Sequence, residues 1–421
     1  MIALLLTVMV FFLLFNFPMV IPMVAAPLAV MIGYMPNMDL SMSIQQLIAG
    51  ISAQVLLAVP MFILAADIMC AGNTTKRLLD LVETFVGHIH GGMAITTAIT
   101  CTMFGAISGS TQATVVAIGK PMRQRLLKLG YSDSSSSGLI INSAIIALLI
   151  PPSISMIMYA VVTGSSVGDL FIAGIGPGIL ILIFFSIYSY LFAKITKMPC
   201  LKKATWSQRG SAFKRAVAPL GFPVIIFAGI YSGFFSPTEA AAVAVLYALV
   251  LEMCVFKTVK LKDLHKIALS TGVVTCAVFI LVSGGQLFSW VISYAKIPQM
   301  LTTAILGTDP TALKILITVT IFFFIGCMFV DSLVVIIILS PIFYPLAIRA
   351  GINPIHLGII ITLQAAIGSV SPPFGCNIFT GCAIFNRPYL DIVKGIPPYL
   401  IMLILITIVV ITCPQLSLFL L

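Results

Sequence analysis

Long apolar runs joined by short polar links make up most of the chain. The first run covers residues 2–34 and is interrupted only at Asn16, Phe17 and Pro18, so it predicts one kinked helix or two short ones. A polar link follows, and residues 47–70 predict the next helix. Residues 71–92 mix Lys76, Arg77, Asp80 and Glu83 with leucines at helical spacing. That pattern predicts an amphipathic helix lying along an interface. Further runs at 139–163, 170–193, 216–233, 238–256, 267–286, 357–385 and 398–416 predict helices. Residues 289–308 leave open whether the chain crosses again. Most runs fit the 17–25 residues, roughly, that a helix needs to span about 30 Å of hydrocarbon. They are continuous rather than alternating, which selects helices over a closed barrel. The pattern describes an all-α polytopic membrane protein.

Two runs break the pattern. Residues 91–128 and 313–348 are apolar arms around a polar centre, with Ser108, Ser110 and Thr111 in the first and Asp331 and Ser332 in the second. In the first, arms of about 12–15 residues are short for a full crossing, which predicts a re-entrant helical hairpin whose tip is buried in protein or faces water. The second has the same order of features and is read the same way. Two helices, 139–163 and 357–385, carry Pro-Pro pairs at Pro151–Pro152 and Pro372–Pro373. Proline has no N–H to give and collides with the preceding turn, so both helices are predicted to be broken there.

These features repeat. A shift of 221 residues lays Gly105 on Gly326, Ser110 on Asp331, Thr111 on Ser332, Gly130 on Gly351, and Pro151 and Pro152 on Pro372 and Pro373. Five predicted crossings separate the two hairpins if residues 289–308 do not cross, an odd number that would make the copies inverted across the membrane. Inverted repeats with discontinuous helices meeting near the midplane are a transporter architecture.

Composition narrows the reading. Of 421 residues 60% are hydrophobic and 8% charged, with a mean hydropathy of +1.19. That excludes a soluble domain, and one membrane domain accounts for the length. The net charge of +10 is carried mainly by short links such as 194–215 and 257–266, which places those links in the cytoplasm rather than on nucleic acid. The nine cysteines form no CxxC pair and read as small buried hydrophobes. His88 and His90 are two apart, the wrong spacing for two metal ligands on one helix face. Ser236, Pro237 and Glu239 read as a structural helix start. No nucleotide-binding loop or nucleophile–base pair is present, so an intramembrane enzyme is disfavoured and any pumping draws on an ion gradient.

The chemistry gathers at the hairpin tips and breaks. Carbonyls freed before each Pro-Pro pair are costly in lipid unless bound, and a cation takes several oxygens. Ser108 and Ser110 with the first break predict one sodium site; Gly326 to Asp331 with Gly368 and Ser371 predict a second. Asp331, an acid in an apolar run, predicts either a ligand contact or the N-cap of the returning arm. Ser110, Thr111, Ser153 and Ser155 predict a pocket for a carboxylate beside helix N-termini.

Several stretches resemble the large membrane subunit of tripartite ATP-independent periplasmic (TRAP) transporters. They are HGGMA…MFGAISGSTQAT, LLIPPSISMIMYAVVTGSSVGDLFIAGIGPG, GFFSPTEAAAVAVLYAL and GCMFVDSLVVIIILSPIFYPLAIRAGINPIHLGIIITLQAAIGSVSPPFG. The resemblance implies a sodium-driven elevator in the bacterial inner membrane. Scaffold helices and an interfacial arm would cover 1–90. A transport-domain repeat would cover 91–193, and a basic cytoplasmic link, scaffold helices and second arm 194–308. The second repeat and a final helix would cover 309–421. It implies sodium ligation by Ser108, Ser110, Ala147, Ile150 and Pro152, and at the second site by Gly326, Gly368 and Ser371. It implies substrate contacts from Ser110, Thr111, Ser155 and Asp331. Ala147 stands where the family usually has glycine, and Ser371 where it has threonine. The implied partners are a small membrane subunit on a separate chain, a periplasmic substrate-binding protein and the surrounding phospholipid, with Na+ as coupling ion and no organic cofactor. The likeness leans to sialic acid as cargo, with C4-dicarboxylates next. A stand-alone sodium–carboxylate symporter is the alternative.

Overall fold

The computed structural model describes residues 1–15, 17–298, 300, 307 and 310–421. Among them there is no strand, and seven helices are long and apolar enough to cross a bilayer. The first apolar run is two helices, α1 (Ile2–Leu14) and α2 (Val20–Tyr34). Pro18 lies between them and cannot donate to a continuing helix. They fold back on each other, with Gly33 at the end of α2 beside Leu4 at the start of α1. Each is only about 20 Å long, short of the roughly 30 Å of hydrocarbon a full crossing needs.

The predicted helix over 47–70 is divided. It comprises α3 (Ser41–Ile51), a tight turn at Gln54–Leu57 and α4 (Ala58–Ala71). α3 ends where the Ser52 hydroxyl donates to the Ile48 carbonyl at 2.7 Å. The interfacial helix α5 (Thr74–Val86) buries Leu78, Leu79 and Val82 and leaves Lys76 exposed, as its amphipathic pattern requires.

The first hairpin is α6 (Gly92–Ser108) and α7 (Thr111–Lys128). The first broken helix is α8 (Asp133–Ala144), a 3₁₀ turn at Ile145–Leu148, and α9 (Ile154–Thr163). Four long helices follow: α10 (Val167–Ile195), α11 (Trp206–Tyr231), α12 (Pro237–Leu249), which continues through a π turn at Val250–Val255, and α13 (Leu261–Tyr294). The ambiguous stretch 289–308 belongs to α13 up to Tyr294; 299, 301–306 and 308 lie outside the described residues. The second hairpin is α14 (Ala312–Phe329) and α15 (Ser332–Arg349). The second broken helix is α16 (Pro354–Ser369) and α17 (Cys376–Phe385). Short α18 (Tyr389–Val393), α19 (Pro397–Thr412) and α20 (Gln415–Leu418) complete the chain.

The repeat holds at single-residue level. Shifted by 221, α7 becomes 332–349, the bounds of α15, and 133–148 becomes 354–369, the bounds of α16. The inversion is visible in contacts. Asp133 at the start of α8 pairs with Arg123 at 2.6 Å and with Arg387, past the end of α17, at 2.7 Å. At the other end, the Tyr159 hydroxyl in α9 donates to the Pro354 carbonyl at the start of α16 at 2.8 Å. The two broken helices therefore run antiparallel. The hairpin arms are 17 and 18 residues in the first copy and 18 and 18 in the second, longer than the sequence suggested. What makes the hairpins re-entrant is where their tips end: against the breaks and each other. The first broken helix is enclosed from 136 to 160 and the second from 355 to 371, which explains their apolar character all round there, whereas Phe374 at the second break and Phe379 in α17 are exposed.

One expectation fails. All nine cysteines are free, but only Cys101 and Cys327 are fully buried, and Cys200, Cys254, Cys276 and Cys413 are exposed. In a chain solvated by lipid, an apolar residue need not face inward.

Candidate functional site

Each hairpin tip is built by a cap. Ser110 accepts from the Ala113 N–H at 3.4 Å and starts α7; Asp331, its counterpart in the repeat, accepts from the Leu333 N–H at 2.9 Å and starts α15. The capping role read for Asp331 is therefore real, and it fixes the carboxylate at the tip. Gly109 has φ +60°, a left-handed conformation, and packs directly against the Pro152 carbonyl. Both facts demand glycine there.

The two tips and the two breaks share one pocket. It encloses about 70 Å³ and is lined by Gly109 to Gln112, by Leu148, Ile154 and Ser155 at the first break, by Asp331 to Leu333, and by Cys376 at the second. Four helices, α7, α9, α15 and α17, start at this pocket. Their free amides present partial positive charge to it. Asp331 is the acid set among them. The Ser155 hydroxyl is fully buried and has no protein partner. The substrate residues read from the sequence, Ser110, Thr111, Ser155 and Asp331, are thus brought together.

The residues read as cation ligands fall into two clusters. In the first, the Ser108 hydroxyl lies 3.3 Å from the Ser110 carbonyl and 3.1 Å from the Thr114 hydroxyl. Gly105 packs on Ala147, where a Cβ would come within 2.6 Å of the Ala147 Cα. Hairpin arm and broken helix thereby approach backbone to backbone. The helical partners of the Ala147 and Leu148 carbonyls would be Pro151 and Pro152, which have no N–H, so these oxygens remain to be satisfied. The Ile150 side chain packs on Gly178 of α10, so only its backbone is available.

In the second cluster, Gly368 packs on Cys327 and the Phe324 carbonyl, which brings it beside Gly326. The Ser371 hydroxyl donates to the Ile367 carbonyl at 2.7 Å. That bond uses its proton and leaves its lone pairs free for a cation.

Sequence reasoning missed Asn377. Its side-chain carbonyl accepts from the Thr111 hydroxyl at 2.9 Å, and its amide donates to the Ser369 hydroxyl at 3.3 Å. It ties the first hairpin tip to the second break. The signal was there: an amide in an otherwise apolar half-helix, four residues past Pro373. Other readings resolve as structure. Ser236 and Glu239 form a reciprocal capping box. No group of three potential metal ligands occurs among the described residues.

Comparison with known proteins completes the picture. The family described as tripartite ATP-independent periplasmic transporter, DctM component, matches residues 6–416. The ectoine TRAP transporter large permease protein of Halomonas elongata is 54% identical over 415 residues, covering 98% of this chain and 97% of that protein. The ectoine/5-hydroxyectoine TRAP transporter large permease protein of Ruegeria pomeroyi is 52% identical over 416 residues, covering 98% and 96%. Among solved structures, the YdaH transporter of Alcanivorax borkumensis, described as having an unusual topology, aligns with a TM-score of 0.60 at 14% identity. The alignment covers 88% of this chain and 87% of that one, a likeness of fold.

Proposed function

The chain belongs to the DctM component family of tripartite ATP-independent periplasmic transporters, and on that premise we propose that it imports a small zwitterionic carboxylate of the ectoine type, driven by sodium. It is a large permease subunit of the inner membrane. Its family is defined by a three-part machine, in which a small membrane subunit and a periplasmic substrate-binding protein complete the transporter.

The observation that carries the cargo assignment is the composition of the shared pocket. Four helix N-termini favour a carboxylate, while Asp331 favours a cation. Ectoine carries both, as a ring amidinium and a carboxylate. A dianion, as a C4-dicarboxylate is at neutral pH, would set its second charge against Asp331. Sialic acid was favoured by overall sequence likeness, whereas the relatives at 54% and 52% identity are named for ectoine. The Ser155 hydroxyl, buried without a partner, is the contact the cargo supplies.

The sodium assignment rests on the opposite helix ends. α6, the 3₁₀ turn after α8, α14 and α16 all finish near the breaks, so their carbonyls concentrate partial negative charge where Ser108, Ala147, Gly326 and Gly368 lie. Cation and carboxylate would then be held by the two polarities of the same interrupted helices. In the elevator reading, both hairpins and both broken helices move as one body against α3, α4 and α11 to α13. Proteoliposomes holding both membrane subunits, with the binding protein outside, test this. Ectoine uptake that needs an inward sodium gradient and the binding protein, with little sialic acid or succinate uptake, is the expected result. Preferred uptake of sialic acid would overturn the cargo, and uptake without the binding protein would favour the stand-alone symporter.

A further inference from the structure

We propose that the basic hollow where α5 meets α11 on the cytoplasmic face binds the headgroup of an anionic phospholipid. The hollow measures about 160 Å³ and is lined by Asn73, Lys76, Arg77, Asp80, Ala212 and Arg215. Its one acid, Asp80, lies 3.5 Å from Arg125, which it shares with Glu83. Lys76, Arg77 and Arg215 have no acidic partner among the described residues. Arg77 is held in place: its guanidinium stacks on the Phe256 ring at 3.6 Å and donates to the Arg215 carbonyl at 3.2 Å. Three cations are thus gathered around an open hollow against a single acid that already shares Arg125, and a phosphate supplies the remaining balance.

Position selects a lipid as the source of that phosphate. α5 is amphipathic and lies along the membrane surface, and Phe256 marks the cytoplasmic end of the span begun by α12. Phe213 and Val217 are exposed on α11 beside the same level and give acyl chains a surface to pack on. A lipid headgroup reaches this height with its chains already anchored. A free phosphate has no such anchor and is screened by salt. The site lies where α5 connects α4 to the first hairpin, so an anionic lipid there would pin the interfacial helix to α11.

Native mass spectrometry of the detergent-purified full-length protein, with equal phosphatidylglycerol and phosphatidylcholine added, tests the site. The wild type is expected to retain phosphatidylglycerol preferentially. Lys76→Gln should lower that preference about fivefold, and Lys76→Gln with Arg215→Gln more steeply. Lys257→Gln with Lys262→Gln, on the same face but outside the hollow, should leave it unchanged. Thermal unfolding verifies that each variant is folded, and the exposed single change Lys76→Gln keeps the test decisive if the double variant does not fold. Equal retention of both lipids, or equal loss in the Lys257/Lys262 control, would overturn the proposal. Displacement of phosphatidylglycerol by millimolar inorganic phosphate would overturn the lipid as the source.

Discussion

At the residue scale, the pocket separates a side chain that caps a helix, Asp331, from one with no partner in the fold, Ser155. The Ser155 hydroxyl is buried without a partner, so the folded protein gains nothing from it and bears its desolvation. Ser155→Ala should therefore leave the unfolding temperature unchanged or slightly raised while weakening uptake, read as a higher KM. Asp331 has both roles, as cap of α15 and as the pocket's charge. Asn also caps, so Asp331→Asn keeps the helix start and removes the charge. It should cost about 1.5–3 kcal/mol of cargo binding, roughly ten- to hundredfold in transport efficiency, with unfolding unaltered. Equal uptake by both variants and wild type would remove the pocket from the transport path. Gly109→Ala should act the other way, lowering stability by at least about 1 kcal/mol, because φ is left-handed and Pro152 leaves no room.

At the element scale, punctuation made the hairpins and breaks legible. Gly, Ser and Asp at the tips and Pro-Pro in the helices each carry a local physical constraint, and their 221-residue spacing survives in the bounds of α7, α8, α15 and α16. Arm length and the division at Ser52 carried no such mark. An apolar arm looks the same at 13 residues or 18, and α3 ends on a hydroxyl–backbone bond that many serines make without ending anything. Asn377 was missed because its partner, Thr111, is 266 residues away. The elements are joined at one end by Asp133, which binds Arg123 and Arg387. The Arg123 hydrogen bond holds its carboxyl below the ordinary carboxylate range. A depressed folded-state value contributes stability above the unfolded value, and that contribution is lost as pH falls through the folded one. Asp133→Asn should thus lower the unfolding temperature at pH 7, with the gap to wild type closing only well below about pH 4. A gap that closed between pH 6 and 8 would mean another group is responsible.

At the scale of the whole molecule, two inverted units meet at one pocket, with the broken helices antiparallel. The repeat was legible in the 221-residue spacing, and the inversion is seen in the contacts of Asp133 and Tyr159 at opposite ends of the broken helices. The sequence did not carry the cargo, because general family likeness and pocket chemistry point to different carboxylates. If interrupted helices hold cation and cargo by their opposite ends, the two must move together. Parallel influx of ²²Na⁺ and radiolabelled ectoine into proteoliposomes bearing the complete transporter tests that most directly. A fixed ratio of the two fluxes, with both lost in Asp331→Asn and in Ser110→Ala while the proteins stay folded, is the predicted result. Ectoine influx without accompanying ²²Na⁺, undiminished in both variants, would contradict it.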